Sequence, residues 1–294
     1  MLFASIDIGS NAVRLLFANV FENRKRATAD KASLIRIPIR LGLDAFEQGR
    51  ISEEKSDNLV RTMQAFKLLL DVYKPLAFTA CATAAMREAS NSAEILARVQ
   101  KESGIAVRVI DGQEEANIIS ALNGIAINKH LGTTMHVDVG GGTTEISVMV
   151  GDRFINAASF QIGTLRLLCN KVAASEWDAM QKWIKTYQLE PGQINVVGSG
   201  GNINKLTKLY GSTTNNIITQ AQLEYAFSHL GEMTMKERIE TMGLRPDRAD
   251  VIVPAADIFI RILKWSHQDF VVAPKIGLAD GLVLQLFKEY AESK

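Results

Sequence analysis

The sequence predicts an α/β protein built from two related domains. Three observations carry that prediction. A glycine-rich β-hairpin with an aspartate at its first rim occurs twice, in residues 6–15 and again in residues 137–146. Short apolar runs of strand length alternate along the chain with longer segments of helical period. A chain of 294 residues with 47% hydrophobic side chains is long enough for about two domains, each with its own core.

The second hairpin holds the richer chemistry. An apolar strand, residues 135–139, carries Asp138 near its end; Gly140, Gly141, Gly142, Thr143 and Thr144 follow, then Glu145 and a second apolar strand, residues 146–150. Glycines let the backbone turn sharply and let another group approach the main chain. A run of them between two strands aims several N–H groups at one spot, which suits an anion. Asp138 and Glu145, at the two rims, are hard oxygen ligands suited to Mg²⁺. A bare two-residue hairpin needs neither three glycines nor two flanking carboxylates. In the first hairpin Asp7 aligns with Asp138 and Gly9 with Gly140, Ser10 and Asn11 follow, and Arg14 stands in the place of Glu145. An internal repeat of this kind governs the whole fold. It predicts two domains facing each other across a cleft.

Bulk charge is balanced, 33 Lys and Arg against 32 Asp and Glu. Nothing in it attracts nucleic acid, so any anion site has to be local. The two cysteines, Cys81 and Cys169, lie in dissimilar apolar contexts and fit a reducing cytoplasm better than a disulfide framework. No signal peptide and no run of membrane-spanning length is expected. His130, His136, His229 and His267 are scattered without metal-ligand spacing.

In chain order, residues 2–8 and 12–20 read as the strands of the first hairpin, the charged stretch 22–31 as a turn, and 32–41 as a third strand. Residues 42–49, bounded by glycines, read as a loop. Ser52 is placed to cap a helix running to Tyr73, with Leu59, Met63, Phe66 and Leu70 on one face. Pro75 stops it. Residues 76–81 form a short strand. The small residues after it, with Arg87 among them, suit the rim of a ligand crevice or an ordinary helical turn with an exposed arginine. Asn91 is placed as the next cap, with Glu94 in the capping-box position. Strand 107–110 leads into residues 111–116, a turn that opens a helix through about Ile127. Glu114 and Glu115 in its first turn answer the helix dipole, unless one of them serves as a base.

Beyond the central hairpin, residues 152–158 read as a strand and 163–167 as a helix start carrying Arg166. Trp177, Met180 and Ile184 mark an amphipathic helix. Strand 194–197 runs into Gly198, Ser199, Gly200, Gly201 and Asn202 with a helix after them, a phosphate-type turn that matches neither a Walker A loop nor a Rossmann fingerprint. Short helices at 220–230 and 235–242, a long apolar helix ending near Trp265, a strand at 270–272 and a last helix at 277–290 complete the chain.

As a set, these segments resemble the exopolyphosphatase/guanosine pentaphosphate phosphohydrolase family of the actin–Hsp70–sugar kinase superfamily. The resemblance rests on residues 7–11, Thr83 to Arg87 with Asn91, Glu114-Glu115-Ala116, Asp138 to Glu145, and residues 163–167, 198–202 and 243–250. Sugar kinases and Hsp70-type ATPases share the hairpins but lack the Glu-Glu-Ala helix start and the Thr-x-x-x-Arg segment. The resemblance implies two RNase H-like (actin-like ATPase) α/β domains, with mixed sheets flanked by helices and a cleft between them. These would be residues 1–122, with a C-terminal helix 280–294 packing back on them, and residues 123–279. It implies Glu115 as general base, Asp138 and Glu145 as holders of Mg²⁺ or Mn²⁺ with Asp7 beside them, and Gly140, Gly141, Gly142 and Thr143 as the phosphate loop. Arg87 would contact phosphate. Asp7, Gly9, Ser10, Asn11, Arg14, Arg166, Gly200, Gly201 and Asn202 complete the expected phosphate-binding set, Asp7 being expected as a metal ligand as well.

Two departures stand out. Asn204 and Ala279 occupy positions where such proteins commonly carry basic residues; Lys205, Lys208 and Lys275 are candidates to replace them. Longer members continue into a further helical domain, so short phosphate chains are the expected substrates. The implied activity is release of terminal orthophosphate from inorganic polyphosphate, in a cytoplasmic enzyme that binds neither nucleic acid nor membrane and that could assemble as a homodimer. The rivals are a guanosine pentaphosphate (pppGpp) 5′-phosphohydrolase, an ATPase or kinase of the same superfamily, and a non-catalytic alarmone or polyphosphate sensor.

Overall fold

A computed structural model describes residues 1–23, 26–120, 122, 132–151, 153–187 and 194–293. The expected helix beyond Leu122, His130, the strand start at Asp152 and residues 24 and 25 of the expected turn lie outside the described residues. The chain divides into two compact units, Met1–Ile125 with Leu278–Lys294, and Ala126–Gly277.

The first unit runs β1 (Leu2–Ile8), β2 (Val13–Asn23), β3 (Arg26–Ile37), α1 (Leu41–Gln48), α2 (Glu53–Tyr73), β4 (Phe78–Ala82), α3 (Ala84–Glu88), α4 (Ser92–Ser103), β5 (Arg108–Val109) and α5 (Gly112–Ser120). The second runs β6 (Thr133–Val139), β7 (Thr144–Val150), β8 (Arg153–Phe160), α6 (Thr164–Leu168), α7 (Ala174–Thr186), β9 (Ile194–Ser199), α8 (Gly201–Tyr210), β10 (Ile217–Thr219), α9 (Gln220–Glu232), α10 (Met235–Glu240), α11 (Pro246–Ala249), α12 (Ile252–Ser266) and β11 (Phe270–Val272). Helix α13 (Leu278–Glu292) returns to the first unit.

The repeat seen in the hairpins extends to whole sheets. The first sheet has the order β3-β2-β1-β4-β5; the second has β8-β7-β6-β9-β11 in the same places, with β10 added at its edge. Directions match as well: the hairpin strands are antiparallel, β4 is parallel to β1 and β5, and β9 is parallel to β6 and β11, while the added β10 runs antiparallel to β11.

Strand alternation decides which residues reach each face. In β6, Met135, Val137 and Val139 enter the core together with Ile146, Val148, Phe259 and Leu263, so His136 and Asp138 take the opposite face. In the first unit Phe3, Leu16 and Ala18 pack under Ala279, Val283 and Phe287 of α13. Full burial of a side chain of this size contributes about 1.5–3 kcal/mol.

Four expectations need correction. Residues 22, 23 and 26–31 are strand, not turn: β2 and β3 pair out to Asn23 and Arg26, because ladder bonds join backbones and are indifferent to side-chain charge. Residues 42–49 are helical, not a loop. Leu41, Ala45 and Phe46 are buried on one face of α1, and its first amides bond the hairpin loop. Ser52 does precede α2, but its hydroxyl and its N–H both donate to Asp44 at 2.5 and 3.0 Å. Asn91 precedes α4, but its side chain exchanges hydrogen bonds with the Ile51 backbone at 3.0 and 2.9 Å instead of capping. Partners outside the helix replace the local cap in both cases.

His136, across from Ser147 and Val197, is buried, and its Nε2 meets no hydrogen-bond partner among the described residues. Burial drives its pKa down from 6.5 to about 3. An unfolded chain takes up this proton below about pH 6.5 while the native chain does not. The stability contribution is therefore complete above pH 6.5 and falls by about 1.4 kcal/mol per pH unit as acid is added. Urea unfolding at pH 7 and about pH 5 should show wild type losing about 2 kcal/mol more than His136→Gln. Equal losses would mean that the native ring is protonated.

Candidate active site

In the second unit the hairpin loop spans residues 140–143. The Gly140 N–H bonds the Thr143 carbonyl at 2.9 Å, and Asp138 and Glu145 are direct cross-strand partners. The start of α6 grips the loop from behind. Thr164 N–H donates to the Gly140 carbonyl at 3.0 Å, Leu165 and Arg166 N–H to that of Gly141 at 2.8 and 3.1 Å, and the Arg166 Nε to that of Gly142 at 2.8 Å. In a trans peptide the N–H points opposite to the preceding carbonyl, and no peptide described here is cis. The N–H groups of Gly141, Gly142 and Thr143 therefore point away from α6, as a row of donors for an anion.

Two glycines make this geometry available. Gly163 has an ordinary extended conformation, but a Cβ on it would lie 2.4 Å from both the Gly141 oxygen and the Gly142 carbonyl carbon. Gly200 sits at φ 98°, where side chains are strained, and a Cβ there would come within 3.0 Å of Asp138 Oδ1. It places Asp138 beside the first turn of α8. Glu145 is buried, and Ser159 Oγ donates to its Oε1 at 2.8 Å.

The first unit has the same loop in residues 9–12. Gly9 N–H bonds the Ala12 carbonyl at 3.1 Å, while Gly42 and Arg40 N–H groups hold the carbonyls of Ser10 and Asn11 at 2.8 and 3.1 Å. The N–H groups of Asn11 and Ala12 point away from α1 by the same peptide geometry. Asp7 and Arg14 are cross-strand partners joined by an ion pair of 2.5 Å.

Glu115 also lies in the first unit. Asp111 caps α5, its Oδ1 accepting the Glu114 N–H at 2.7 Å. Glu114 turns outward to Arg108, and Glu115 turns inward at 7% exposure. Arg87 Nη1 reaches both the Ile110 carbonyl, at 2.8 Å, and Glu115 Oε2, at 3.2 Å. A buried carboxylate needs such a partner, because its uncompensated desolvation costs several kcal/mol. Arg87 thus holds Glu115, and Arg166, 5% exposed, holds the glycine-rich hairpin loop. Both were expected as phosphate contacts; each makes an internal bond that fixes a site element.

The second unit also contains a cavity of about 560 Å³ lined by Lys205, Lys208, Arg248 and Lys275, with Asn204 and Thr207 between them. No carboxylate and no aromatic ring lines it among the described residues. Burial lowers the Lys205 pKa, and the nearby charges of Lys208 and Arg248 lower it further. Thr207 is buried, and its Oγ1 has no hydrogen-bond partner among the described residues. Gly201 and Asn202 open α8 at this end; a Cβ on Gly201 would meet Arg248 Nη2 at 2.6 Å. Sequence reasoning singled out the three lysines but missed Arg248, which lies on α11 and comes to the pocket only through the tertiary fold. It also missed α1, although the repeat offered a signal: by strand register residues 36–44 occupy the position of residues 159–167, whose helix start was recognised.

Comparison with known proteins gives the same picture. Exopolyphosphatase 1 of Mycobacterium tuberculosis is 24% identical over 323 residues, covering 99% of this chain and 90% of that protein. A bifunctional 3-dehydroquinate synthase/phosphatase of Fusobacterium nucleatum is 26% identical over 316 residues, 97% of this chain and 46% of its own length. The crystal structure of the Aquifex aeolicus Ppx/GppA family member matches with a TM-score of 0.78 at 27% identity, covering 98% of each chain. An exopolyphosphatase from Cytophaga hutchinsonii shares the fold with a TM-score of 0.85 at 21% identity, again over 98% of each chain. The expected fold class holds: two RNase H-like α/β units with mixed sheets flanked by helices. The profile of the Ppx/GppA phosphatase family matches residues 33–290, and this chain belongs to that family.

Proposed function

We propose that this protein is an exopolyphosphatase that transfers the terminal phosphoryl group of inorganic polyphosphate to water. The observation that carries the reading is the row of amides in residues 140–143, set between the carboxylates of Asp138 and Glu145. Phosphoryl transfer depends on positioning and charge neutralisation more than on covalent chemistry by the protein, and preorganised N–H donors supply both.

The two carboxylates fit a magnesium-type ion. They are hard oxygen donors on facing strand positions, and among the described residues no third His, Cys, Asp or Glu joins them. Mg²⁺ is commonly held by one or two carboxylates, with water and substrate phosphate filling the remaining positions. When bound, Mg²⁺ or Mn²⁺ neutralises charge on the phosphoryl oxygens. Glu115, held by Arg87, orients the attacking water and accepts its proton. The water oxygen bonds to phosphorus, the bridging P–O bond breaks with its electrons leaving on the shortened chain, and orthophosphate is released.

The basic pocket favours an inorganic chain over a nucleoside. Cations meet phosphate oxygens directly, whereas a base is usually met by a stacking ring or by groups matching its edge. Phosphate release from short polyphosphate, guanosine pentaphosphate and ATP, measured side by side with Mg²⁺ and with EDTA, tests the reading. Polyphosphate should be turned over fastest, and EDTA should abolish release. Turnover of the pentaphosphate alone would make the protein a pppGpp phosphohydrolase, and preference for ATP would make it an ATPase or kinase. Binding without release would mark a sensor, and full activity in EDTA would remove the metal.

A further inference from the structure

The two hairpins are copies in backbone but not in charge. Each loop has four residues and is closed by the same amide-to-carbonyl bond, and in each a following helix start grips the loop carbonyls. Across from Asp138 stands Glu145. Across from Asp7 stands Arg14, whose Nη1 lies 2.5 Å from Asp7 Oδ2, and the Asp7 side chain is only 4% exposed. Cross-strand partners share one face of a sheet. Position for position, a guanidinium therefore occupies the place of the second carboxylate.

We propose that Arg14 is a built-in cation that excludes divalent metal from the first hairpin, so that the hairpins hold a metal ion at Asp138 and Glu145 and Asp7 is not a ligand. The proposal rests on the metal reading of the second hairpin given above and departs from the expectation that Asp7 joins it. The guanidinium is permanently charged and matches a carboxylate in shape. It takes up an acceptor oxygen of Asp7 that a metal would need, and it repels a dication at the same point. The copies then differ in function. The second hairpin has a carboxylate at each rim, the pair that would hold a metal ion beside its amides. The first hairpin is neutralised within itself, and its amides can receive an anion with no metal.

Mn²⁺ titration of the full chain without substrate, with free ion followed by electron paramagnetic resonance, tests this apart from any activity. Wild type should bind a single Mn²⁺. Asp138→Asn should weaken binding by at least about tenfold, as loss of even an outer-shell partner typically costs about 10–100-fold, while Asp7→Asn should leave it unchanged. Arg14→Glu, which restores the carboxylate pair, should add a second Mn²⁺. The proposal fails if wild type binds none or two, if Asp7→Asn weakens binding as much as Asp138→Asn, or if folded Arg14→Glu still binds one. Should Arg14→Glu not fold, the comparison of Asp7→Asn with Asp138→Asn decides. Failure of the exopolyphosphatase reading would instead show in the phosphate-release assay, with the Mn²⁺ pattern intact.

Discussion

Glu115→Gln should lower kcat for polyphosphate by about 10²–10⁴-fold, the usual worth of a general base, or roughly 3–5.5 kcal/mol. The amide preserves the shape of the carboxylate and can still meet Arg87, but it cannot accept the proton of the attacking water. Substrate binding should survive, because Glu115 carries negative charge and contributes nothing attractive to a polyanion. Glu114→Gln is the control: that side chain is paired outward with Arg108, and its replacement should change kcat little. Loss of activity in Glu114→Gln with normal kcat in Glu115→Gln would move the base by one residue. Normal kcat in both would leave Glu115 as a buried partner of Arg87 and place the base elsewhere.

Gly163→Ala should damage the site without replacing any residue proposed to act on substrate. The added Cβ would sit 2.4 Å from the backbone of Gly141 and Gly142, and backbone cannot step aside as a flexible side-chain end can. The loop must move by an ångström or so, and misplacement on that scale can cost about 10²-fold in rate. Overpacking of a closely fitted contact typically costs about 1–3 kcal/mol, so thermal unfolding should occur earlier as well. The backbone of residue 163 is extended and acceptable to alanine; the damage comes from contact alone. Gly231→Ala is the control, because a Cβ there meets nothing within 4 Å. A Gly163→Ala enzyme with wild-type kcat would show that the loop tolerates displacement, and that its amides do not set the rate.

Much of the site follows from local rules that act on the sequence alone. Two-residue alternation in strands puts Asp138 on the face opposite Met135 and Val137, and the antiparallel register across a four-residue loop then makes Glu145 its partner. The same rules applied to residues 6–15 pair Asp7 with Arg14. Adjacent helical positions lie about 100° apart, which separates Glu115 from Glu114 once α5 begins at Gly112. The repeat of the hairpin announced the repeat of the sheet. These features depend on neighbours a few residues away, which is why periodicity reveals them.

The tertiary structure decided what each charged or polar group is used for. Arg87 is joined to Glu115 over 28 positions and Arg166 to Gly142 over 24, so two arginines expected to meet phosphate also hold Glu115 and the hairpin loop in place. Ser52 and Asn91 had the right residue types for helix caps, and Asp44 and Ile51 took their hydrogen bonds. Helix α1 formed where glycines suggested a loop, because its first amides answer the carbonyls of Ser10 and Asn11 and its apolar face is buried. The four cations of the basic pocket come from α8, α11 and the segment after β11. A donor or an acceptor bonds whichever partners the fold brings within reach, and that choice is made by tertiary packing, on which local periodicity is silent.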